Sequence, residues 1–449
     1  MTTRPFFFFP IFILLMVGLF VTGCGEGRAR VAQRESDGRV VIEVWHGMGA
    51  GQGKALNEMA ERFNASQTTY RAKPIYQGSY DSLAQKLIAS LYARRNPAVS
   101  QMYPSWSKRY FLFDYLEPVA NFVEKDPAFA AGLEDFYPIM LKENTLKNPR
   151  TGKEVLATLP FNKSVYVLYI NQTLLEKLGW KQPPQTWIEL KKLAEEMTGT
   201  PGPKADSPSM LGFGTRASIE DLTVQAYSAN AQLLDEATGK LNLQQPAILA
   251  SFGNLLTLIG GDNGRKQTGY VESSFLSNAF GSQRIGMYIS STASFTFNDR
   301  AVNNAFVWRA YRVPSREANV PGRTLMQGTN FGIFKTLAPE EKAGAWEFLK
   351  FSCSPAENAR WAIATGYMPV RKSTQLVPEF AAYLEKNPSY KNAMDTLEFA
   401  EFEPRALYWD SLRLVIGREV DSVLSRRKTT EQAMVDAGRD IEAIRKNSE

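Results

Sequence analysis

The sequence predicts an α/β protein of two lobes, each built on a mostly parallel sheet flanked by helices. Three observations carry this. Strand-like and helix-like segments alternate β-α-β-α-β between residues 40 and 103, an order that calls for parallel pairing with helical crossovers. The pattern breaks near Ser164 and resumes near Asn330. The chain beyond its leader is about 425 residues, too long for one simple core.

The leader comes first. Arg4 precedes an apolar run from Pro5 to Val21, and Val21-Thr22-Gly23-Cys24 closes it. A charged start, a short apolar stretch and small residues before a cysteine predict a secretory signal at 1–23. Pro10 and the modest length argue against a permanent spanning helix. The residues before Cys24 resemble a bacterial lipobox, in which that cysteine is lipidated and holds the chain to a membrane. Gly25 follows, so the Asp of an inner-membrane retention signal is absent. Residues 24–38 are polar and glycine-bearing and read as the lipidated tether.

Val40 to Trp45 is the first strand. A helix follows with Leu56, Met59, Ala60 and Phe63 on one face. Tyr70 to Tyr76 is the second strand. The next helix carries Leu83, Leu87 and Leu91 and is stopped by Asn96-Pro97. Val99 to Tyr103 is the third strand. Leu159 to Asn171 (LPFNKSVYVLYIN) reads as one long strand. A helix from Gln172 to Leu178 ends at Gly179, and Thr186 caps a helix from Trp187 to Met197. Residues 198–209 are a Pro/Gly/Ser loop, and 218–259 reads as helical. Arg284 to Ser291 is a strand, and Asn330 to Lys335 a strand returning to the first lobe. Pro339 to Phe351 is a helix burying Ala343, Trp346, Phe348 and Leu349. A last amphipathic helix starts at Thr429 or Thr430 and buries Ala433, Ala437, Ile441 and Ile444.

Several chemistries fail on their residue requirements. The glycine-rich stretch VVIEVWHGMGAGQGK (40–54) is no P-loop, because Ala55 follows Gly53-Lys54 and Met48 stands where the first glycine belongs. It also misses G-x-G-x-x-G. It reads as a strand-to-helix turn able to offer backbone N–H groups. His46, the one histidine, reads as strand-end packing. With Cys24 lipidated, Cys353 is the remaining thiol, which excludes a disulfide, a C-x-x-C pair and the usual zinc sites. No metal or cofactor is implied. The net charge of +6 is mild and the basic clusters are short, so no nucleic-acid partner is expected.

Four stretches, in this order, resemble the extracellular solute-binding proteins of ABC importers. They are VWHGMGAGQGKALNEMAERFNAS, LPFNKSVYVLYINQTLLEKLGW with PPQTWIEL, FGSQRIGMYISSTAS, and SPAENARWAIATGYMPVRKS. The likeness covers roughly 40–446 and is strongest to the sugar and polyol group, nearest its glycerol-3-phosphate-binding members. It implies the clam-shell periplasmic-binding-protein fold, two lobes joined by crossing segments and closing on ligand. Lobe one is then 39–163 plus the return 326–372, and lobe two 164–325 plus 373–449. The resemblance places ligand contacts at Tyr80 (GSY), Ser164 (FNKS), Ser291 (ISSTAS), Gly328 (MQGTN), Tyr367 (GYMP) and Arg413 (SLRLVIG). An arginine fork, hydroxyl donors and a backbone N–H suit a phosphoryl group without a metal. Two positions depart from the family. Its acidic residue falls at Pro104, and its tryptophan pair near Ala217 and Glu220. Trp106, Tyr408 and Trp409 are substitutes for the lost aromatic platform or packing residues. Arg413 on its helix has an alternative reading as the partner of Asp410.

The resemblance implies capture of a carbohydrate or polyol-phosphate solute by a monomer, delivery to the transmembrane subunits of an ABC permease, and a periplasmic or cell-surface location on a lipid anchor. It implies no catalytic residues. Two rivals stand beside it. Ser105-Trp106-Ser107-Lys108 has the S-x-x-K spacing, but S-D-N and K-T-G are missing. A secreted carbohydrate hydrolase needs only two carboxylates. A purely structural lipoprotein is the other class, and it would not close on a ligand.

Overall fold

The computed structural model describes residues 30–216, 218–235, 240–259, 267–271 and 275–448. The expected leader, Cys24 and the first tether residues lie outside these.

Strand β1 (Val40–His46) buries Val40, Ile42 and Val44, β-branched side chains that suit a sheet covered by helices. It lies between two parallel neighbours, β2 (Tyr70–Tyr76) and β3 (Val99–Met102). Helix α1 (Ala50–Ser66) packs Leu56, Met59, Ala60 and Phe63 inward, and α2 (Tyr80–Tyr92) packs Leu83, Leu87 and Leu91. Leaving water contributes about 1.5–3 kcal/mol for each such leucine. Ser79 caps α2 by accepting the Ser82 backbone N–H at 3.2 Å, which fixes Tyr80 as the first helical residue. Helix α3 (Pro104–Leu112) follows β3 directly, with Pro104 at its first turn, where a missing N–H costs nothing.

Two long strands cross the molecule. Leu159–Asn171 is buried throughout its length, which explains its nearly continuous apolar reading. Its first half pairs antiparallel with Thr324–Phe334, from Leu159 opposite Phe331 to Val165 opposite Met326. Its second half pairs antiparallel with Ile285–Ser291, Tyr166 standing opposite Ser291. Thr324–Phe334 in turn pairs with β3, while Ile285–Ser291 continues parallel to Leu211–Thr215. One hydrogen-bonded sheet path therefore runs through both lobes, and the backbone changes neighbours near Ser164. Beside it, Trp187–Met197 starts in a capping box. Thr186 Oγ1 accepts from the Glu189 N–H at 3.2 Å, and Glu189 accepts from the Thr186 N–H at 3.2 Å. Trp409–Leu424 and Thr430–Ser448 pack on Ile219–Ser228 and Pro246–Ile259 around Leu412, Ile416, Ala433, Ala437 and Ile441.

Four details depart from the expectation. The 218–259 stretch is two helices separated by a short antiparallel pair, Leu234–Asp235 with Lys240–Leu241; two-residue strands are too short to leave a periodic signal. The return strand begins at Thr324, six residues early, because Gly328 and its polar neighbours hide a strand that is buried at every position but Gln327. Pro339–Ser352 buries Trp346, Phe348 and Leu349 as expected, but Gly344 and Ala345 take the place of Ala343, which is exposed. The strand expected over 99–103 stops at Met102, since Tyr103 is already the cap of α3. No helix among the described residues is long and apolar enough to cross a membrane.

Candidate ligand-binding cleft

The crossing strands approach closely because of one glycine. Gly328 has φ +126°, a conformation L side chains avoid, and a Cβ there would fall 2.0 Å from the Asn162 carbonyl oxygen. Asn162 sits at the centre of what results. Its Nδ2 donates to the Tyr80 hydroxyl at 3.2 Å. Its Oδ1 accepts from Gln101 Nε2 at 3.2 Å and from the Thr329 hydroxyl. Tyr367 is buried, shares hydrogen bonds with Tyr80 and Asn162, and lies parallel to the Trp361 ring at 6.0 Å. Burial pushes the Tyr80 and Tyr367 hydroxyls above the usual phenol range, so both stay protonated and able to donate. The glycine-rich stretch after β1 serves this placement. A Cβ on Gly47 would lie 2.9 Å from Tyr80 Cδ1, and the Gly47 N–H donates to Gln101 Oε1 at 3.1 Å. His46 is buried against Tyr76 with ring centroids 5.7 Å apart, a packing position.

Arg413 stands on Trp409–Leu424, turned away from buried Leu412 and Ile416. Its surroundings differ from an open phosphoryl fork. Nη1 donates to Glu403 Oε1 at 2.8 Å, and Nη2 donates to Glu220 Oε1. Asp410 is not the partner; it accepts from Trp106 Nε1 at 3.1 Å and lies 3.9 Å from Arg109. The physical reason is that Glu403 and Glu220 stand closer and take both terminal nitrogens of the guanidinium. Gln327 Nε2 donates to Glu403 Oε1 at 2.7 Å and Glu220 Oε1 at 3.3 Å, and its Oε1 accepts from Tyr166 at 3.3 Å. Burial raises the Glu220 carboxyl, but the Arg413 charge and the Ser218 hydroxyl outweigh it and leave it below the usual carboxylate range. At Glu403 burial wins, helped by the Glu220 charge, and the carboxyl is held above that range. Burial also works against the Arg413 charge, and the two carboxylates overcome it.

The sheet register joins the two groups. Gln327 is opposite Ser164, Gly328 opposite Lys163 and Thr329 opposite Asn162. Ser164 is buried, its hydroxyl 3.5 Å from the Gln327 carbonyl oxygen. Ser291, opposite Tyr166, spends its hydroxyl as an acceptor for the Ala293 N–H at 3.1 Å. Tyr80, Ser164, Gly328, Tyr367 and Arg413 thus share one wall, and Ser291 stands one strand away. Tyr103 bridges the halves: its ring is 5.1 Å from Tyr80 and 5.2 Å from Trp106, and it lies in the field of Glu403 and Arg413. Sequence reasoning missed Asn162, Tyr103, Tyr166, Gln327 and Glu403, and met Glu220 only as a missing tryptophan. Pro104 and Ser105 are buried in α3, so the S-x-x-K serine is a helix packing position. Trp409 packs beside Glu403, and Tyr408 is buried.

Two long strands crossing between α/β lobes, with a polar and aromatic wall at the crossing, define a two-lobed solute-binding protein. The chain belongs to the bacterial extracellular solute-binding protein family, whose model matches residues 58–388. It is similar to the sn-glycerol-3-phosphate-binding periplasmic protein UgpB of Shigella dysenteriae serotype 1 (strain Sd197), 25% identical over 408 residues covering 88% of this chain and 90% of the relative. The UgpB of Escherichia coli (strain K12) is 24% identical over the same shares. Among solved structures, UgpB from Mycobacterium tuberculosis in complex with glycerophosphocholine superposes with TM-score 0.76 at 21% identity, over 92% of this chain and 100% of that one. The sugar-binding protein MalE from Xanthomonas citri gives TM-score 0.76 at 18% identity, over 91% and 98%. Both structures share the fold.

Proposed function

We propose that this protein is the substrate receptor of an ABC import system. It captures a carbohydrate-type solute between its lobes and delivers it to the transmembrane subunits of a permease. The observation that carries this is the wall at the crossing. Two protonated phenols, Tyr80 and Tyr367, meet at Asn162, and two residues along the strand Gln327 leads into the Arg413 cluster. Donors and acceptors held in fixed positions beside the half-buried Tyr103 ring suit a ligand with several hydroxyls. The ligand-contact set is Tyr80, Ser164, Ser291, Gly328, Tyr367 and Arg413. The lobes are 39–163 with 326–372, and 164–325 with 373–449, which makes the 159–171 strand a hinge segment. The protein works as a monomer and binds without turnover. The relatives carry the names of binding proteins, and the two glutamates on the wall, Glu220 and Glu403, are both engaged by Arg413.

Thermal melting of the purified protein with single solutes tests this reading. A true ligand at about a hundredfold its Kd adds about 2.7 kcal/mol of stability, and the solute is recovered unchanged. Stability unmoved by every sugar, polyol and glycerol phosphate tried, or cleavage of the solute, would overturn it.

The lipid anchor on Cys24 at a periplasmic or cell-surface membrane completes the proposal, on the strength of the residues around it. Cys24→Ser is expected to move the protein from the detergent phase to the aqueous phase while leaving solute binding unchanged. Retention of the variant in the detergent phase would remove the anchor from the account.

A further inference from the structure

Glu220 and Glu403 set the charge of the cleft, and nothing in a phosphate cradle calls for them. Both carboxylates reach Arg413, one through each terminal nitrogen, and Gln327 turns its amide N–H to the same two oxygens. With both glutamates ionised the cluster carries one net negative charge; with one protonated it is neutral. In neither state does this trio of side chains carry a net positive charge. Of the neighbouring cations, exposed Arg216 turns its field on Glu220 and Asp221, and two others are held in pairs. Lys163 is held by buried Glu143, and Arg109 faces Asp410 and the Leu407 carbonyl. A phosphoryl group entering beside Arg413 meets two carboxylates and must displace one. A hydroxyl meets carboxylate oxygens that accept from it in lobe two, and the phenols of Tyr80 and Tyr367, which both donate and accept, in lobe one. Half-buried Tyr103, braced edge-to-face by buried Trp106, supplies a ring against which the carbon skeleton of a sugar packs.

We propose that Glu220 and Glu403 are specificity-determining residues that make this cleft a site for neutral polyhydroxylated solutes, sugars or sugar alcohols, and exclude phosphorylated ones. The inference rests on the receptor reading above and narrows its substrate class. Its consequence is that Arg413 acts as a clamp holding two acceptor carboxylates in place, where the family likeness implies an anion receptor.

Calorimetric titration of the folded protein with maltose, glucose, ribitol and glycerol-3-phosphate tests it, on the wild type, Glu220→Gln, Glu403→Gln and the double variant. Glutamine keeps the shape and an acceptor oxygen for Arg413 while removing the charge. The wild type is expected to bind a neutral solute and to give no heat with millimolar glycerol-3-phosphate. The double variant is expected to lose at least tenfold in affinity for the neutral solute and to gain at least tenfold for glycerol-3-phosphate. If the double variant fails to fold, Glu220→Gln alone, at the more exposed carboxylate, must show the same direction. Wild-type binding of glycerol-3-phosphate no weaker than that of the variants overturns the inference while leaving the receptor reading intact. A gain for glycerol-3-phosphate in the variants, with no neutral solute bound by the wild type, upholds the exclusion and counts against the carbohydrate reading. Heat from no ligand with any of these proteins overturns both.

Discussion

Arg413→Ala is expected to destabilise the ligand-free protein by about 3–5 kcal/mol at neutral pH, because it strands two buried carboxylates. The side chains of Glu220 and Glu403 are 9% and 3% exposed, so water cannot take over from the guanidinium. In the intact protein the Glu220 pKa lies below its ordinary value. Its stabilising contribution is therefore present above the usual carboxylate range and is lost as pH falls through the lowered value. In the variant the Arg413 charge no longer opposes burial, and the pKa of this carboxyl rises. The deficit should then be largest near pH 7 and shrink on acidification toward the ordinary carboxylate pKa, as the group protonates. Denaturant melts of both proteins across that range measure the difference. A variant as stable as the wild type at pH 7, or a deficit that grows on acidification, would show that the two glutamates do not depend on Arg413. Arg413→Lys should recover only part, since an ammonium cannot serve two carboxylates through a planar fork.

Lys163→Met should cost a similar amount, about 3–5 kcal/mol, for a different reason. Lys163 and Glu143 both have 0% side-chain exposure and form an ion pair inside the crossing. Burial pushes the lysine pKa down and the glutamate opposes it. Removing the lysine leaves the buried Glu143 carboxylate without its counter-charge. The pair also ties elements together: Lys163 Nζ lies 3.4 Å from the Gly328 carbonyl oxygen, and the Met368 N–H donates to the Lys163 carbonyl at 2.6 Å. Loosening it should weaken solute binding as well, since Asn162 and Ser164 flank it. The double variant Lys163→Met with Glu143→Leu removes both charges and should regain most of the loss. A single variant within about 1 kcal/mol of wild type, or a double variant no better than the single one, would mean the pair contributes little to the crossing.

The fold was legible wherever one face or both faces of an element are buried by residues in its own periodic pattern. The strands at 40–46 and 159–171 and the helix Trp187–Met197 carry their buried apolar residues, and the helix its cap, within one short stretch each. The return strand was legible only past Asn330, because Gly328 is there for a backbone approach that involves Asn162, distant in sequence. The site was legible in part. Tyr80, Ser164, Gly328, Tyr367 and Arg413 came from the likeness to a family, and the structure puts them on one wall. What that likeness could not give is the wall's charge. Glu220, Gln327, Glu403 and Arg413 come from four separate segments, and Arg413 and Glu220 are 193 residues apart. No local pattern announces such a cluster. His46, by contrast, was read from its strand-end position as packing, and the structure buries it there.

Small-angle scattering of the purified protein, with and without a solute shown by calorimetry to saturate it, tests the central claim most directly. Capture between two lobes joined by crossing strands requires the lobes to close, and the radius of gyration should fall when the solute is bound. A radius of gyration unchanged at saturation would contradict capture between the lobes.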